Sequence, residues 1–485
     1  MKTSYKFIIL SILMHFNCLG QGLNHNFLIG FGASMDTNTI SNKAVLGFDV
    51  NSATVTPDSF AMSFSGAQAN ISDNNGKLLM YTNGCYIADA TGNMMQNGDS
   101  LNPGSFASNW CQIGLPIPNT SVFLPWPGDS TKYILFHQTS TDLDPQLSSQ
   151  LFYTIVDLTL NGGLGAVTQK NVIALQNDSL CPEIAACKHA NGRDWWIVVM
   201  SASTDTIYTL LLTPNGIMNM PPQSSGFSPP YDEAGRSIQF SPDGSKLAYS
   251  INYYNGSVTQ FKLRLLHFDR CTGIFSNHKA VGFTATTGGY CLAFSPNSKY
   301  AYFGTFTTLF QVNTDTSNMA ASMDTIAIKD NYCYPYNWTC PDFWYGYLAA
   351  NGKIYISSGG QAIDFHYINS PDSDGIACDM HLHGLRVPCY YGRENVYHPN
   401  YYLGPVLGSA CDTLAHVGFY ELTQVNNVTL HPNPTHNGSF RVSYLLPQNK
   451  NGILLITDMM GKEAYKINLP QWSTLQDLSL PWLTD

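Results

Sequence analysis

The sequence predicts an all-β protein, a six- or seven-bladed β-propeller followed by a small C-terminal β-sandwich. Three observations support this prediction. Polar turns of one kind recur along the chain at spacings close to 54 residues, an alternating apolar strand follows each turn, and no segment between them has a sustained helical period. Four short strands in about 54 residues have the length and content of one propeller blade.

The repeat is clearest in two phrases. Residues 240–250 read FSPDGSKLAYS and residues 294–304 read FSPNSKYAYFG, so Asp243 and Asn297 occupy equivalent turns 54 residues apart. Pro, Gly, Asp and Asn favour such tight turns, and the residues on either side are expected to pair as antiparallel strands. Four more turns of this kind are centred on Asn75, Asp129, Asn191 and Asn351.

The number of blades stays open at this level. Six repeated units are visible, whereas the stretch from Gln21 to about Ala410 is long enough for seven. A seventh blade would combine the N-terminal strands FLIGF and AVLGFDV with segments after Ile363 and so close the ring.

The composition points to an extracellular protein and argues against nucleic-acid binding. Only 12% of the residues are charged, about half the usual fraction, so uncharged polar residues and tyrosines must cover much of the surface. The net charge is −10, the chain has 23 Lys and Arg, and they form no run. Binding to a phosphate backbone requires clustered cations, which the sequence does not provide.

Residues 1–20 have the pattern of a signal peptide. Lys2 and Lys6 precede a short apolar run at 7–14, and Cys18 and Gly20 are small residues suitably placed for cleavage before the next residue. The apolar run is less than half of the roughly 20 residues that a membrane span needs. We therefore expect a protein without a transmembrane segment that is either secreted or anchored at the outer-membrane surface.

Export permits disulfides, and three pairs are close enough in sequence to form local bridges. They are Cys181–Cys187, Cys333–Cys340 and Cys378–Cys389. Twelve cysteines are present, and removal of Cys18 leaves eleven, so at least one does not pair within the chain. A zinc site is the weaker alternative, because the sequence has no CxxC motif.

Several short phrases resemble a family of exported Bacteroidetes propellers. They are ISDNNGKLLMYTNG at 71–84, NGGLGAVTQKNVIAL at 161–175, the two FSP turns, and FDRCTG at 268–273. Many members of that family carry gliding-motility or secretion-associated C-terminal domains. The resemblance implies the fold and an extracellular location, and it implies no catalytic residues.

The C-terminal part resembles the type A sorting domain of the type IX secretion system. The resemblance rests on PNPTHNG at 432–438, with Pro432, Asn433, Pro434 and Gly438, followed by ILLITDMMGKEAY with Gly461. It implies the type IX secretion machinery as a partner. The chain ends at LPWLTD, where that family has further strands, so we expect the sorting domain to be incomplete.

These interpretations divide the chain into four parts. We predict a signal peptide at 1–20, a β-propeller at 21–402, a linker at 403–424 and the sorting domain at 425–485.

Catalytic motifs are lacking, and we predict neither catalytic residues nor a cofactor. NGDSLN at 97–102 contains the GDSL string of an esterase family, but no histidine in the chain has an aspartate three positions before it to supply the base. A polar loop explains this string better. GxSxG, HExxH and GxxxxGK[ST] are absent from the sequence.

One weak candidate for a metal site lies near the end of the predicted propeller. His381 and His383 are two positions apart and would point to the same side of a strand, together with Asp379. Nothing fixes a further ligand such as His366, and polar packing on a blade surface is the alternative.

The densest aromatic stretch supplies the candidate binding surface. If Cys333 and Cys340 pair, then Tyr334, Tyr336 and Trp338 lie on a constrained loop, where rigid aromatic rings suit recognition of a sugar or a protein. Alternatively, rings of this stretch fill the space between blades, which we expect for residues 343–345.

The function predicted from the sequence is a non-catalytic binding module, secreted or anchored at the cell surface, with an extracellular glycan or protein as its ligand. The alternative is a propeller hydrolase or lyase acting on polysaccharide or peptide. Such an enzyme needs paired carboxylates on the inner strands. The recognisable inner strands contain only Glu183, which favours binding.

Overall fold

A computed structural model describes most of the propeller region and parts of the C-terminal region. The described residues are 22–31, 41–49, 52–141, 147–227, 236–254, 259–335, 339–412, 429–431, 439–444, 452–457, 463–469 and 474–480. Among them, regular structure is almost entirely β-strand, with one short α-helix, α1 (Ser105–Trp110), and four 3₁₀ helices of three or four residues. None of the helices in these ranges is long and apolar enough to cross a membrane. The fold is all-β, as predicted.

The chain divides after Leu403 into two compact units, each described here by itself. In the unit that ends at Leu403, the described strands form seven antiparallel sheets in chain order, which are the seven blades of a propeller.

The strands of blades 1 to 4 are as follows. Blade 1 has β1 (Asn26–Ile29), β2 (Lys43–Asp49) and β3 (Ser52–Asp58); blade 2 has β4 (Ala69–Ser72), β5 (Leu78–Thr82) and β6 (Ile87–Asp89); blade 3 has β7 (Ser121–Pro125), β8 (Lys132–His137), β9 (Ser148–Asp157) and β10 (Ala166–Leu180); blade 4 has β11 (Ala185–Lys188), β12 (Trp195–Met200), β13 (Thr206–Thr213), β14 (Gly216–Asn219) and β15 (Gln223–Ser224).

Blades 5 to 7 each have four strands. Blade 5 has β16 (Arg236–Phe240), β17 (Lys246–Tyr254), β18 (Thr259–Phe268) and β19 (Phe275–Ala285); blade 6 has β20 (Cys291–Phe294), β21 (Tyr300–Gly304), β22 (Thr308–Asn313) and β23 (Asp324–Ile328); blade 7 has β24 (Gly346–Leu348), β25 (Ile354–Ile356), β26 (Ala362–Ile368) and β27 (Met380–Tyr391).

The repeated polar turns join the first two strands of blades 2 to 7. In blade 5 the Asp243 carboxylate accepts the backbone N–H of Ser245 at 3.0 Å, and Gly244 takes a left-handed φ of 71°. In blade 6 the Asn297 side chain accepts the N–H of Lys299 at 3.0 Å. The same local side-chain bond thus closes both turns, which is why the sequence repeat marks blade boundaries well.

Blade 1 closes the ring together with residues that follow β27. Its first strand runs opposite to β4, since Gln68 and Asn70 donate to the carbonyls of Leu28 and Asn26, at 2.7 and 2.8 Å. Directly after β1, the N–H of Gly30 donates to the Glu394 carboxylate at 3.1 Å. The predicted combination of N-terminal strands with segments after Ile363 in one blade is wrong for the described residues: β1, β2 and β3 form blade 1 by themselves, and β27 belongs to blade 7.

The axis of the ring is occupied by residues 392–403, which we call the axial segment. Its side chains bond to the innermost strands of several blades. Tyr397 reaches Ala186 of β11, Tyr401 reaches Phe123 of β7, His398 reaches Asn70 of β4 and Tyr347 of β24, and Asn400 reaches Pro242 after β16. The channel that propellers often leave open is filled here by the protein's own chain.

The two faces of the ring differ in their connections. In the antiparallel blades 2 to 7 the first strand begins and the second strand ends at the same face, so the connections between blades lie there. These include the long stretches 90–120 and 329–345, and we call this side the long-loop face. The opposite face carries the tight turns.

The unit that follows Leu403 contains small antiparallel sheets. β28 (Thr429–His431), β29 (Ser439–Ser443) and β32 (Leu475–Ser479) form one, and β30 (Gly452–Thr457) with β31 (Glu463–Leu469) form another. A small core includes Val442, Leu469 and Leu478. The motif residues Pro432, Asn433, Pro434, Gly438 and Gly461 lie outside the described residues.

Two of the predicted disulfides are wrong. Cys187, Cys378 and Cys389 are buried thiols, so the pairs Cys181–Cys187 and Cys378–Cys389 do not form. The reason is that each cysteine packs in the interior as a small apolar residue. The Cys333–Cys340 bond is present.

A disulfide that spacing did not reveal joins Cys85 to Cys111 across 26 residues. Cys271 and Cys411 also take part in disulfide bonding.

Candidate functional site

The aromatic loop predicted as a binding surface is only partly described, and the part that is described lies in the core. Tyr334 is 0% exposed, its hydroxyl donates to the Asp364 carboxylate at 2.8 Å, and burial raises its pKa. Tyr334 is therefore a structural residue and not a binding residue. Tyr336 and Trp338 lie outside the described residues.

The candidate metal ligands do not come together. His381 pairs with Asp379 at 3.2 Å, whereas His383 pairs with Asp330 at 3.1 Å. The predicted alternation fails because β27 bulges here: the three residues between His381 and Leu385 oppose a single residue of β26, and His383 adopts a φ of 52°. Among the described residues, no group of three potential ligands could hold a metal ion.

A cluster of aromatic and charged side chains lies at the centre of the long-loop face, and we call it the mouth site. It consists of Glu183, Tyr290, Phe306, Trp344, Tyr345 and Arg393. The rings of Trp344 and Phe306 stack with centroids 4.7 Å apart, and Tyr290 stacks on Tyr345 at 5.5 Å. Tyr290 also contacts both Phe306 and Trp344, so the four rings form one continuous surface.

The fold places these residues together because most of them occupy the same position in different blades. Tyr290 directly precedes β20, Trp344 and Tyr345 directly precede β24, and Glu183 lies two residues before β11. The innermost strands surround the axis, so the residues before them converge at the mouth of the filled channel.

Close backbone contact holds Trp344 in place. Its indole N–H donates to the Asp342 carboxylate at 2.8 Å, and the same carboxylate accepts the N–H of Gly359 at 2.9 Å. A Cβ on Gly359 would come within 2.3 Å of the indole ring, so only glycine fits there. Burial raises the pKa of Asp342.

Arg393 is the exposed cation of the mouth site. Its guanidinium lies 4.8 Å from the centroid of the Trp344 ring, within the range of a cation–π interaction. The residue is exposed, and among the described residues its guanidinium has no hydrogen-bond acceptor. Arg393 is the second residue of the axial segment, which connects the mouth site to the filled channel.

Charged neighbours change the pKa of the Tyr345 phenol. Burial raises its pKa well above the usual value, the nearby Tyr290 and Glu183 raise it further, and Arg393 lowers it. Glu183 and Arg393 are therefore both close enough to Tyr345 to change its pKa, in opposite directions.

A buried acid and a buried base lie next to Arg393. Glu394 is 0% exposed, and burial raises its pKa to about 7. Burial lowers the pKa of Lys43 to about 8. Both bond to the backbone of one residue, Gly30: Lys43 donates to its carbonyl at 2.8 Å, and its N–H donates to the Glu394 carboxylate. This arrangement fixes the start of the axial segment and so the position of Arg393.

Sequence reasoning missed Arg393, Tyr290 and Phe306 and assigned Trp344 to the space between blades. The repeat contained part of the information, since Tyr290 and Tyr345 are 55 residues apart and precede equivalent strands. Nothing local marks Arg393, which follows β27 in a stretch that reads as a connector.

Fold and site define a seven-bladed propeller whose channel is filled by its own chain and whose long-loop face carries an arginine on an aromatic cluster. No family model matches the chain, and no curated protein matches it.

Solved structures give distant likenesses. A putative 6-phosphogluconolactonase from Bacteroides uniformis is 12% identical, with 93% of this chain and 99% of that chain covered and a TM-score of 0.36. An auxiliary nutrient binding protein from Bacteroides thetaiotaomicron is 11% identical, with 69% and 74% covered and a TM-score of 0.34. The extracellular domain of a putative hybrid two component system from the same species is 10% identical, with 70% and 40% covered and a TM-score of 0.31. At such values the likenesses say nothing about the function of this chain.

Proposed function

We propose that this protein is an exported, non-catalytic binding module that holds a carboxylate-bearing extracellular glycan at the mouth site. The observation that carries the proposal is the exposed guanidinium of Arg393, supported on Trp344 and without an acceptor among the described residues.

The chemistry of the mouth site suits a sugar acid. A planar guanidinium donates two parallel hydrogen bonds to a carboxylate, and stacking on an aromatic ring orients it before the ligand arrives. Next to it, partly exposed rings of Tyr290 and Phe306 offer apolar area for the C–H face of a sugar ring. Because Trp344 is already held by Asp342 and by the close approach of Gly359, little of its side-chain entropy is lost on binding.

The export signals in the sequence support an extracellular ligand. The N-terminal pattern is that of a signal peptide, and the chain contains disulfides. The PNPTHNG and DMMGK phrases resemble a type IX sorting domain, and we propose the type IX machinery as the export partner. Release into the medium and attachment at the outer-membrane surface are both compatible with this route.

The test is a titration of the purified protein with three probes. They are hexagalacturonate, the neutral galactose hexamer made by carboxyl reduction, and hexaglutamate. We expect hexagalacturonate to bind about 10-fold or more tightly than the neutral hexamer, since hydrogen bonds to a charged group contribute about 1.5–3 kcal/mol. Equal affinity for both hexamers, a preference for hexaglutamate, or cleavage of the oligosaccharide would overturn the proposal.

A further inference from the structure

A buried carboxylate holds the backbone next to Arg393. Glu394 is 0% exposed, and its Oε2 accepts the N–H of Gly392, so this bond spans Arg393. Its Oε1 accepts the N–H of Gly30 at 3.1 Å, which ties the same carboxylate to blade 1. Gly392 directly follows β27 of blade 7. One side chain therefore connects the first and the last blade to the residue that bears the exposed guanidinium.

Two elements place titratable groups against Glu394. Lys43 of β2 is buried, and burial lowers its pKa to about 8, so it is still charged near pH 7. On β27, Cys389 and Tyr391 are buried, and burial raises the pKa of both, with a further increase from the Glu394 carboxylate. These two groups stay neutral near pH 7, which leaves Lys43 as the buried charge beside Glu394.

The ionisation of Glu394 is balanced near neutral pH. Burial raises the pKa of its carboxyl to about 7, although the N–H groups of Gly30 and Gly392 and the charge of Lys43 favour the ionised form. The carboxylate is present above this pH and is lost as the pH falls below it. Glu394 therefore changes its charge in a range where exposed carboxyl groups stay ionised.

A proton on Glu394 must weaken the bonds that it makes to the backbone. Each carboxylate oxygen accepts one N–H group, from Gly30 or from Gly392, and an oxygen that takes up the proton becomes a donor. Hydrogen bonds to a charged group are also stronger than bonds to a neutral one, so both bonds weaken when the charge is lost. The backbone at Arg393 is then held less firmly, and its guanidinium is less well oriented over Trp344.

We propose that Glu394 is a positioning residue of the mouth site, and that proton uptake by Glu394 lowers the affinity of this site for its carboxylate-bearing ligand. This inference rests on the proposed function, because the ligand is the one assigned to Arg393. Two parallel hydrogen bonds from a guanidinium to a carboxylate depend on geometry, so a guanidinium that is oriented before binding gives the higher affinity.

The lost negative charge has a smaller effect in the opposite direction. By itself, removal of a negative charge near Arg393 favours an anionic ligand. Among the described residues, however, Lys43 is the charged side chain that shifts the pKa of Glu394. A charge bound at Arg393 therefore acts only weakly on Glu394, and we expect the weakening of the two backbone bonds to decide the direction.

The test measures the affinity of hexagalacturonate at pH 8 and at pH 5.5, a range in which the carboxylates of this probe stay ionised. The wild type should bind at least about 3-fold more weakly at pH 5.5. Glu394→Gln has an uncharged amide at both pH values and should bind with the weaker affinity at both. Asp58→Asn, which removes an exposed carboxylate from β3 of blade 1, is the control and should keep the pH dependence of the wild type.

A second measurement needs no ligand. In protein labelled with ¹³C-arginine, the Cδ methylene signal of Arg393 is assigned by its absence in Arg393→Lys. The guanidinium lies 4.8 Å from the centroid of the Trp344 ring, so a change in its orientation alters the ring-current shift of this methylene group. The signal should move with a midpoint near pH 7 in the wild type and should not move in Glu394→Gln.

These results separate the inference from the proposed function. If the wild type binds hexagalacturonate equally at both pH values, or if Glu394→Gln keeps the pH dependence of the wild type, the inference is overturned and the proposed function stands. If the probe binds at neither pH, the proposed function fails and the inference fails with it. Should Glu394→Gln not fold, the wild-type signal of Arg393 decides, because a signal that does not move between the two pH values overturns the inference.

Discussion

The hydroxyl of Tyr397 forms two hydrogen bonds with the backbone of one residue, Ala186. It accepts the N–H of Ala186 at 3.1 Å and donates to the carbonyl oxygen at 2.9 Å. Ala186 lies in the innermost strand β11, whose inner edge has no neighbouring strand, so a tyrosine of the axial segment satisfies groups that a strand would otherwise pair. Burial raises the pKa of Tyr397, which keeps the hydroxyl protonated and able to donate.

Tyr397→Phe should destabilise the propeller by about 1–3 kcal/mol, because it leaves two buried backbone groups without a partner. Chemical unfolding followed by tryptophan fluorescence measures the change, and Trp195, which contacts Tyr401 of the axial segment, is a suitable reporter. Tyr332→Phe, at an exposed ring, is the matched control and should shift stability by less than about 0.5 kcal/mol. Equal effects of the two variants would show that the axial segment does not stabilise the ring.

Removal of the Cys85–Cys111 disulfide should destabilise the protein by about 3–4 kcal/mol. The bond closes a 26-residue separation, and the chain-entropy model gives this magnitude for the unfolded state. The double variant Cys85→Ser, Cys111→Ser is compared with the wild type by thermal unfolding. Cys333→Ser with Cys340→Ser, which opens a separation of only 7 residues, should cost less. The reverse order would contradict this ranking.

Stability should fall as the pH is lowered below about 6.5. Burial lowers the pKa of His137 and His366 to about 3 and that of His398 to about 4, while each takes up a proton near 6.5 in the unfolded chain. The unfolded state then binds more protons, and each histidine contributes a loss of about 1.4 kcal/mol per pH unit. Glu394 has the opposite effect on stability. Because its pKa is raised to about 7 in the folded state, the folded state binds up to one more proton than the unfolded state between about pH 4.5 and about pH 7.

His137→Gln tests the pH dependence at a single site. Unfolding free energies measured between pH 4.5 and 6.5 should show a slope smaller by about one proton than in the wild type. Asn109→Gln, at an exposed position of α1 without a titratable group, serves as the control and should leave the slope unchanged. An unchanged slope in His137→Gln would mean that this histidine is not buried as a neutral ring.

Gly359→Ala should disrupt the mouth site without changing any of its side chains. The added Cβ would meet the Trp344 ring at 2.3 Å, so the indole must move and Arg393 loses its support. We expect a changed near-ultraviolet circular dichroism spectrum and hexagalacturonate affinity reduced by about 10-fold. Gly404→Ala, where a Cβ meets nothing within 4 Å, is the control. If Gly359→Ala binds hexagalacturonate as tightly as the wild type, Trp344 does not contribute to binding.

Local sequence predicted six blades because each begins with a turn that its own side chains close, as at Asp243 and Asn297. In blade 1 the first two strands are separated by residues 30–42, and the sequence of this stretch does not contain the repeated turn phrase, so the repeat does not reveal this blade. The distinction between six and seven blades depended on that one connection.

The site was much less predictable, because contacts between distant residues create it. Arg393 lies 103 positions after Tyr290, and only closure of the ring brings both to the mouth. The sequence predicts Tyr334 as a surface ring, whereas its hydroxyl bonds to Asp364 in the interior. A bulge in β27 separates His381 from His383. Burial and strand irregularity of this kind leave no periodic mark in a sequence.

The most direct test of the central claim is the affinity of hexagalacturonate for the wild type, Arg393→Lys and Arg393→Gln. Lysine keeps the positive charge but lacks the planar guanidinium that binds a carboxylate with two hydrogen bonds, and glutamine lacks both. The account predicts affinities that fall in the order Arg, Lys, Gln, with Gln at least about 10-fold weaker than the wild type and all three proteins equally stable. If the Gln variant binds hexagalacturonate as tightly as the wild type, the mouth site is not where a carboxylate-bearing glycan binds.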